Sequence, residues 1–477
     1  MESVAEKSKK KNILFLRSQQ NLQRINWTNY TFCTKPPFLL YISSKIGDEG
    51  VSGLCFGLGK CTNLTYLILN LKNNSIGDEC ASSLGSGLAK CTNLQNLTLN
   101  LEKNFIGEGA SGLGSGLGKC ANLQNLTLNL QGNFIGDECA SCLGSGLTKC
   151  TNLQNLTLNL EKNSIGEGAS GLGSGLGKCT NLSNLTLNLV YNKIGKVGAS
   201  GLGSGLGKCT NLQNLTLNLQ NNYIGKVGAL GLGSGLGKCT NLSNLTLNLE
   251  QKSLFFVLDC EFFEYRNEFK TINNEIGDEG ASSLGSGLGK STNLSNLTLE
   301  INNNEIGDEG ASSLGSGLGK CTNLSNLTLN LEQKSLFFVL DCEFFEYKNE
   351  FKTNNNKIGD EGASSLGSGL GKSTNLSNLT LEIKYNKIGE EGASGLSSGL
   401  GKCTNLSNLT LNLVQNLIRD KGASGLGFGL VKCTNLSNLT LHVRQNFIGE
   451  IGSLGLSSCL RNCTNLSNLT LYLEQKS

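Results

Sequence analysis

Histidine occurs once in this chain, at His442, and no pair of carboxylates stands apart from its repeating pattern. That leaves little for acid–base catalysis. The segments Val-Ala-Ile-Lys, His-Arg-Asp and Asp-Phe-Gly are missing, which excludes protein-kinase machinery. No apolar run approaches the roughly 18 residues of a membrane span. Met1 to Asn12 is charged and lacks the apolar stretch of a signal peptide. An excess of one charge is missing too: 40 basic and 37 acidic residues leave +3, which argues against a general nucleic-acid binder. Proline is confined to Pro36 and Pro37. Eleven of the 19 cysteines stand in single file, one per repeat, which is neither the C-x-x-C spacing of zinc sites nor the pattern of a secreted disulfide framework. Reduced thiols and a cytoplasmic location are therefore expected, with no metal and no other cofactor.

Glycine, by contrast, is abundant at 63 of 477 residues, and the chain repeats itself. Aligned on Cys-Thr-Asn-Leu and its variants, 13 anchors fall in register: Cys61, Cys91, Cys120, Cys150, Cys179, Cys209, Cys239, Ser291, Cys321, Ser373, Cys403, Cys433 and Cys463. Most spacings are 30 residues, two are 29 and two are 52. Periods of this size mark solenoids rather than independent domains.

Each unit joins two periodicities. Leu185, Leu187 and Leu189 alternate with Asn184, Thr186 and Asn188, the pattern of a half-buried strand. Ala199, Leu202, Leu206 and Cys209 then recur on one helical face. Strand and helix repeated in one direction give a parallel sheet with helices on one side. One such unit cannot bury its apolar face alone; a stack can. Asn192 follows the strand, and the same place holds Asn74, Asn104, Asn133, Asn163, Asn222, Asn274, Asn304, Asn356, Asn386, Asn416 and Asn446. Buried turn backbone needs partners, and a short amide supplies both donor and acceptor. A structural asparagine ladder is expected.

The pattern Leu182-x-x-Leu185-x-Leu187-x-Leu189-x-x-Asn192-x-Ile194-Gly195, followed by Gly198-Ala199-x-x-Leu202-x-x-x-Leu206, resembles the leucine-rich repeat family, most closely its ribonuclease-inhibitor type. The resemblance covers residues 33–477. It implies an α/β horseshoe solenoid of about 13 units, with parallel strands on the concave face and helices on the convex face. The unit exceeds the usual ~20–29 residues, and the extra pair is placed at Asn188-Leu189, lengthening the strand. The wording is also similar to long repeat arrays of ciliates, some joined to protein-kinase domains. Residues 1–32 fall outside the repeat as a basic N-terminal segment, with Ile13–Leu16 and Trp27 as a candidate cap.

Acidic residues open most helices, as in Asp78-Glu79 and Asp308-Glu309, and lysine closes them, as in Lys119, Lys178 and Lys320. Both complement the helix dipole, and stacking turns them into an acidic and a basic stripe. Interior glycines such as Gly201, Gly203 and Gly205 cost about 1 kcal/mol each relative to alanine. They are expected to let adjacent helices approach closely and so to flatten the curvature. Leu284 to Thr292 imitates a phosphate-binding loop, but Leu284 occupies the place of its first glycine, and the motif fails.

In a solenoid, specificity lies in departures from the repeat. The outward strand positions are mostly Asn, Thr and Asn; the exceptions are Tyr66, Ile68, Glu300, Glu382, His442 and Tyr472. Two 22-residue insertions, Gln251–Ile272 and Gln333–Asn354, hold ten of the 18 phenylalanines. Phe255, Leu258, Phe262, Tyr265 and Phe269 follow amphipathic helix spacing, and Phe337 and Phe344 repeat Phe255 and Phe262 in the second insertion. Both insertions leave the same edge two repeats apart, and they are expected to pair or to grip a partner jointly. Leu473 to Ser477 repeats the words that open each insertion, as an array tail carried along by duplication would. With no helix after its last strand, the chain reads as a fragment of a longer array.

The functional expectation is a non-enzymatic scaffold for protein partners, without nucleic acid or membrane. It binds through the concave face at Tyr66, Glu300, Glu382, His442 and Tyr472 and through Phe255, Phe262, Phe337 and Phe344. The alternatives are a regulatory or targeting segment of a kinase-linked repeat protein and a GTPase-activating leucine-rich repeat protein that supplies an arginine. Outside the insertions the array offers only Arg419, Arg444 and Arg461 for that role.

Overall fold

The computed structural model describes residues 6–8, 13–16, 38–42, 47–251, 274–333 and 356–473, with side chains from residue 50 onward. The chain divides into two compact units, one of residues 1–219 and 230–247, the other of residues 220–229 and 248–477.

In the first unit, strand Glu6–Ser8 pairs antiparallel with Ile13–Leu16. All later pairings are parallel, running through Phe38–Ile42, Tyr66–Asn70, Asn96–Asn100, Asn125–Asn129, Asn155–Asn159, Asn184–Asn188 and Asn214–Asn218. The second unit pairs Asn296–Glu300, Asn326–Asn330, Asn378–Glu382, Asn408–Asn412, Asn438–His442 and Asn468–Tyr472 in parallel. From Asn96 on, each asparagine, leucine and threonine lies beside its counterpart, because the leucines must face the helices in every repeat and a one-residue slip would turn them outward. Leu185, Leu187 and Leu189 are buried while Thr186 is exposed. Pairing runs past the regular strand, with Leu189 N–H donating to the Asn218 carbonyl at 2.8 Å, as the placement of the extra pair anticipated.

The helices form one layer against the strands. Lys196–Leu206 buries Ala199, Leu202 and Leu206. Cys209, expected on the same face, lies in the turn beyond that helix, and Lys119 and Lys178 follow the C-caps Gly118 and Gly177 rather than closing the last turn. The close approach of helices is present. A methyl group built on Gly205 overlaps the carbonyl of Gly173, and Gly146 meets Gly114 in the same way. Leu284 and Leu288 are fully buried within helix Gly277–Leu288, where a phosphate loop has no place.

Four side-chain ladders tie repeat to repeat. The expected turn ladder is present: Asn163 Oδ1 accepts the N–H groups of Asn133 and Ile135 at 3.0 and 2.9 Å, while its Nδ2 donates to the Leu130 and Leu160 carbonyls at 3.0 and 2.9 Å. Cysteine thiols form a second ladder. Cys120 and Cys179 donate to the carbonyls of Leu88 and Leu147, each at 3.3 Å. Ser373 replaces cysteine and makes the same bond to Leu318 at 3.2 Å, so a small donor is what the position requires. Cys61 corrects the expectation of reduced thiols throughout, since it is disulfide-bonded.

The third ladder is an aspartate cap supplied by the preceding repeat. Asp308 Oδ1 accepts the N–H groups of Gly359 and Gly362 at 2.6 and 2.9 Å, at the head of helix Asp360–Leu370. Asp278, Asp360 and Asp420 do the same for their following helices. The acidic helix starts thus serve the neighbour's orphan N–H groups more directly than their own dipole. The fourth ladder lies on the open strand face.

Candidate functional site

The strand face is built from the first, third and fifth residues of each five-residue strand. At the first position asparagine amides bond one another along the array. Asn125 Nδ2 donates to Asn96 Oδ1 at 2.6 Å, and Asn155 donates to Asn125 and Asn184 to Asn155, each at 2.5 Å. The second unit repeats this from Asn296 to Asn468. These amides are therefore committed to each other rather than offered to a ligand. The threonine rank between is exposed at Thr127, Thr157, Thr186 and Thr216. At the fifth position asparagine turns back on its own backbone: Asn100 Oδ1 accepts the N–H of Glu102 at 3.0 Å, and Asn330 accepts that of Glu332 at 3.0 Å.

Where residues other than asparagine enter the fifth position, a different surface results. Glu382, Asn412, His442 and Tyr472 occupy this position on four successive strands. Glu382 Oε2 accepts a hydrogen bond from Asn412 Nδ2 at 2.7 Å. The rings of His442 and Tyr472 stack with centroids 4.3 Å apart and planes inclined by 8°. The Arg444 guanidinium lies 4.6 Å from the Tyr472 centroid, within cation–π range. Lys384 pairs with Glu332 at 3.3 Å beside them. Partial burial lowers the His442 pKa; Glu382 opposes the shift, and Arg444 and Lys384 add to it. The ring is therefore held toward its neutral form, which stacks without desolvating a charge.

The structure thus brings Glu382, His442 and Tyr472 into one row, with Glu300 on the same register position two strands earlier, beside Asn330. Tyr66 belongs to the first unit, at the head of its strand beside Asn96, and Ile68 lies in the threonine rank beside Thr98. Phe255, Phe262, Phe337 and Phe344 lie outside the described residues, and so does the expected pairing of the insertions. Arg444 and Lys384 were not singled out as contacts from sequence. The readable signal was the second residue after the strand, which is unusually varied: Lys72, Glu102, Gln131, Glu161, Val190, Glu332, Lys384 and Arg444. The stacked, exposed pair Phe105 and Phe134 was also missed; its centroids are 5.9 Å apart. These two follow the ladder asparagine in adjacent repeats.

The row thus combines stacked rings, a guanidinium and hydrogen-bonded or ion-paired carboxylates, with no nucleophile–base pair among the groups just named. The leucine-rich repeat family model matches residues 181–203, 273–285, 293–315, 353–367 and 375–397. No curated protein matches the chain. Among solved structures, an internalin, InlF, from Listeria monocytogenes is 22% identical over 87% of this chain and 82% of its own, with a TM-score of 0.49. Internalin C2 from the same organism is 19% identical over 58% of this chain and 83% of its own, with a TM-score of 0.30. Likeness at this level carries nothing about function. Leucine-rich repeats are therefore matched over those residues, and within each unit the strand–helix repeats stack in parallel register as in a solenoid.

Proposed function

We propose that this chain is a non-enzymatic protein-interaction scaffold of the ribonuclease-inhibitor type of repeat, working in the cytoplasm. Its partner docks on the strand face at Glu382, His442 and Tyr472, with Glu300 on the same register position and Tyr66 as a separate contact. The insertion residues Phe255, Phe262, Phe337 and Phe344 form a second contact. One observation carries the reading: the only histidine of the chain stacks on Tyr472 under Arg444, at a strand position where most other repeats carry an asparagine turned back on its own backbone. Aromatic and arginine side chains concentrate binding energy at interfaces. Arg444, held over a ring, suits such a surface better than it suits a mobile catalytic finger.

The test is capture of partners from cell extract by the intact chain, by His442→Ala/Tyr472→Ala, and by a chain lacking both insertions. Loss of a partner in the double variant supports the strand-face reading. Undiminished capture by both altered chains sinks it.

A further inference from the structure

The turns between each helix and the next strand carry no carboxylate, and 12 of the 13 place a lysine before the anchor residue, Asn462 taking its place in the last. In the first unit they read Ala89-Lys90-Cys91-Thr92-Asn93, Gly118-Lys119-Cys120-Ala121-Asn122, Thr148-Lys149-Cys150-Thr151-Asn152, and onward through Lys178, Lys208 and Lys238. All six lysines are exposed. The ion pairs of the described residues involve Lys72, Lys162, Lys226 and Lys384, none of which is in this row. With a net charge of only +3 for the chain, the rest of the molecule is net acidic, and its acids gather at the opposite, N-terminal ends of the helices. A helix of 11 residues separates the two edges by about 16 Å.

The row is also ordered. The stem of Lys149 packs over Gly118, the C-cap of the preceding helix, where a methyl group would come within 3.5 Å of Lys149 Cγ. Lys208 over Gly177 and Lys238 over Gly207 repeat this at 3.2 Å. Lysine stems laid on glycine lose less freedom when they engage a ligand than free surface lysines do. Neighbouring asparagines are fixed as well: Asn122, Asn152 and Asn181 each donate to the backbone carbonyl of the preceding repeat at 2.8–3.1 Å.

We propose that this edge is a rail for an extended acidic polypeptide, which lays carboxylates along the lysines. The proposal rests on the scaffold reading and names the chemistry of a partner segment. Charge complementarity selects an anionic chain. The edge turns carry no aromatic side chain on which a base could stack, and in the first unit their cations are all lysines, point charges without the bidentate fork that reads phosphate. An acidic polypeptide therefore fits better than a nucleic acid.

The test titrates the intact chain with fluorescent poly-L-glutamate and follows anisotropy. Binding at about 50 mM salt that is largely lost by about 200 mM is expected, as for any contact of this kind. Neutralising Lys119, Lys149, Lys178 and Lys208 to glutamine is expected to weaken binding by about tenfold or more, since several exposed pairs vanish together. The control removes the same charge elsewhere in the unit, at Lys103, Lys162, Lys193 and Lys196, and is expected to change binding by less than about twofold. Equal loss in both variants overturns the rail, because only net charge then matters. Equal or tighter binding of single-stranded DNA, dependent on the same four lysines, overturns the choice of polypeptide. Circular dichroism of both variants separates loss of binding from loss of fold. The strand face is untouched by these substitutions, so failure here leaves the scaffold reading standing, and failure of partner capture by His442→Ala/Tyr472→Ala leaves the rail standing.

Discussion

Asn163 shows how much one side chain holds in this molecule. Its amide satisfies two buried N–H groups and two carbonyls across a repeat boundary. Asn163→Ala leaves those groups without partners, at about 1–3 kcal/mol each, so a loss of roughly 2–4 kcal/mol is expected in urea unfolding. Its role was legible in the sequence because a turn asparagine recurring at every period has few other uses. The cysteine column was legible in the sequence as a small, weakly polar position, because Ser291 and Ser373 replace it twice. Its thiols titrate late: burial raises Cys120, Cys150, Cys209 and Cys433 from 9.0 to about 12, and Cys91, Cys179, Cys239, Cys321 and Cys403 to about 11. The unfolded chain loses these protons first, so their contribution is complete below pH about 9 and is lost as pH rises through the folded values. Melting temperature is therefore expected to fall steeply above pH about 9. Replacing Cys120, Cys150 and Cys209 by serine is expected to flatten that slope, because serine makes the Ser373 bond without titrating. A pH-independent melting temperature over that range would refute this account.

The glycine-rich helices look self-defeating as isolated elements. Gly205→Ala improves intrinsic helix propensity by about 1 kcal/mol, yet its methyl overlaps the Gly173 backbone of the preceding helix. Overpacking against backbone costs about 1–3 kcal/mol. The substitution is expected to destabilise, while Ser204→Ala, on the exposed face of the same helix, is expected to be neutral or slightly stabilising. Comparable melting temperatures for the two variants would show that the helices have room to separate. Helix starts carry a second element-scale consequence. Asp308→Ala removes the cap of helix Asp360–Leu370 and not that of its own helix, at about 0.5–2 kcal/mol. Protection of Gly359 and Gly362 amides against hydrogen exchange is the direct readout, and it is expected to fall while that of Gly310 holds. Acidic helix starts were visible in the sequence; that each serves its neighbour was not, because the acceptor and its donors are a whole repeat apart.

Across the second unit, both insertions interrupt the chain without interrupting the ladder. Leu249 N–H donates to the Glu300 carbonyl at 2.8 Å, and Leu331 N–H to that of Glu382 at 2.7 Å. Joining Gln251 directly to Asn274 and Gln333 to Asn356 restores the spacing of an ordinary repeat. The shortened chain is expected to keep its circular dichroism and to melt within a few degrees of the intact one, since no described ladder bond needs residues 252–273 or 334–355 and loop length alone enters stability weakly. A collapse of the melting transition would mean that the insertions hold the array together.

The sequence by itself determined the repeat, the parallel strand–helix order, the leucine core and the turn asparagines, because each depends on a local period that recurs down the chain. Tertiary structure alone decided how the outward residues divide their hydrogen bonds. The amides of Asn96 and Asn125 are spent on each other, while Glu382, His442 and Tyr472 meet as a surface with Arg444. Those pairings join residues about 30 positions apart through stacking. A single unit gives the direction a side chain points, and only the neighbouring unit determines what it meets.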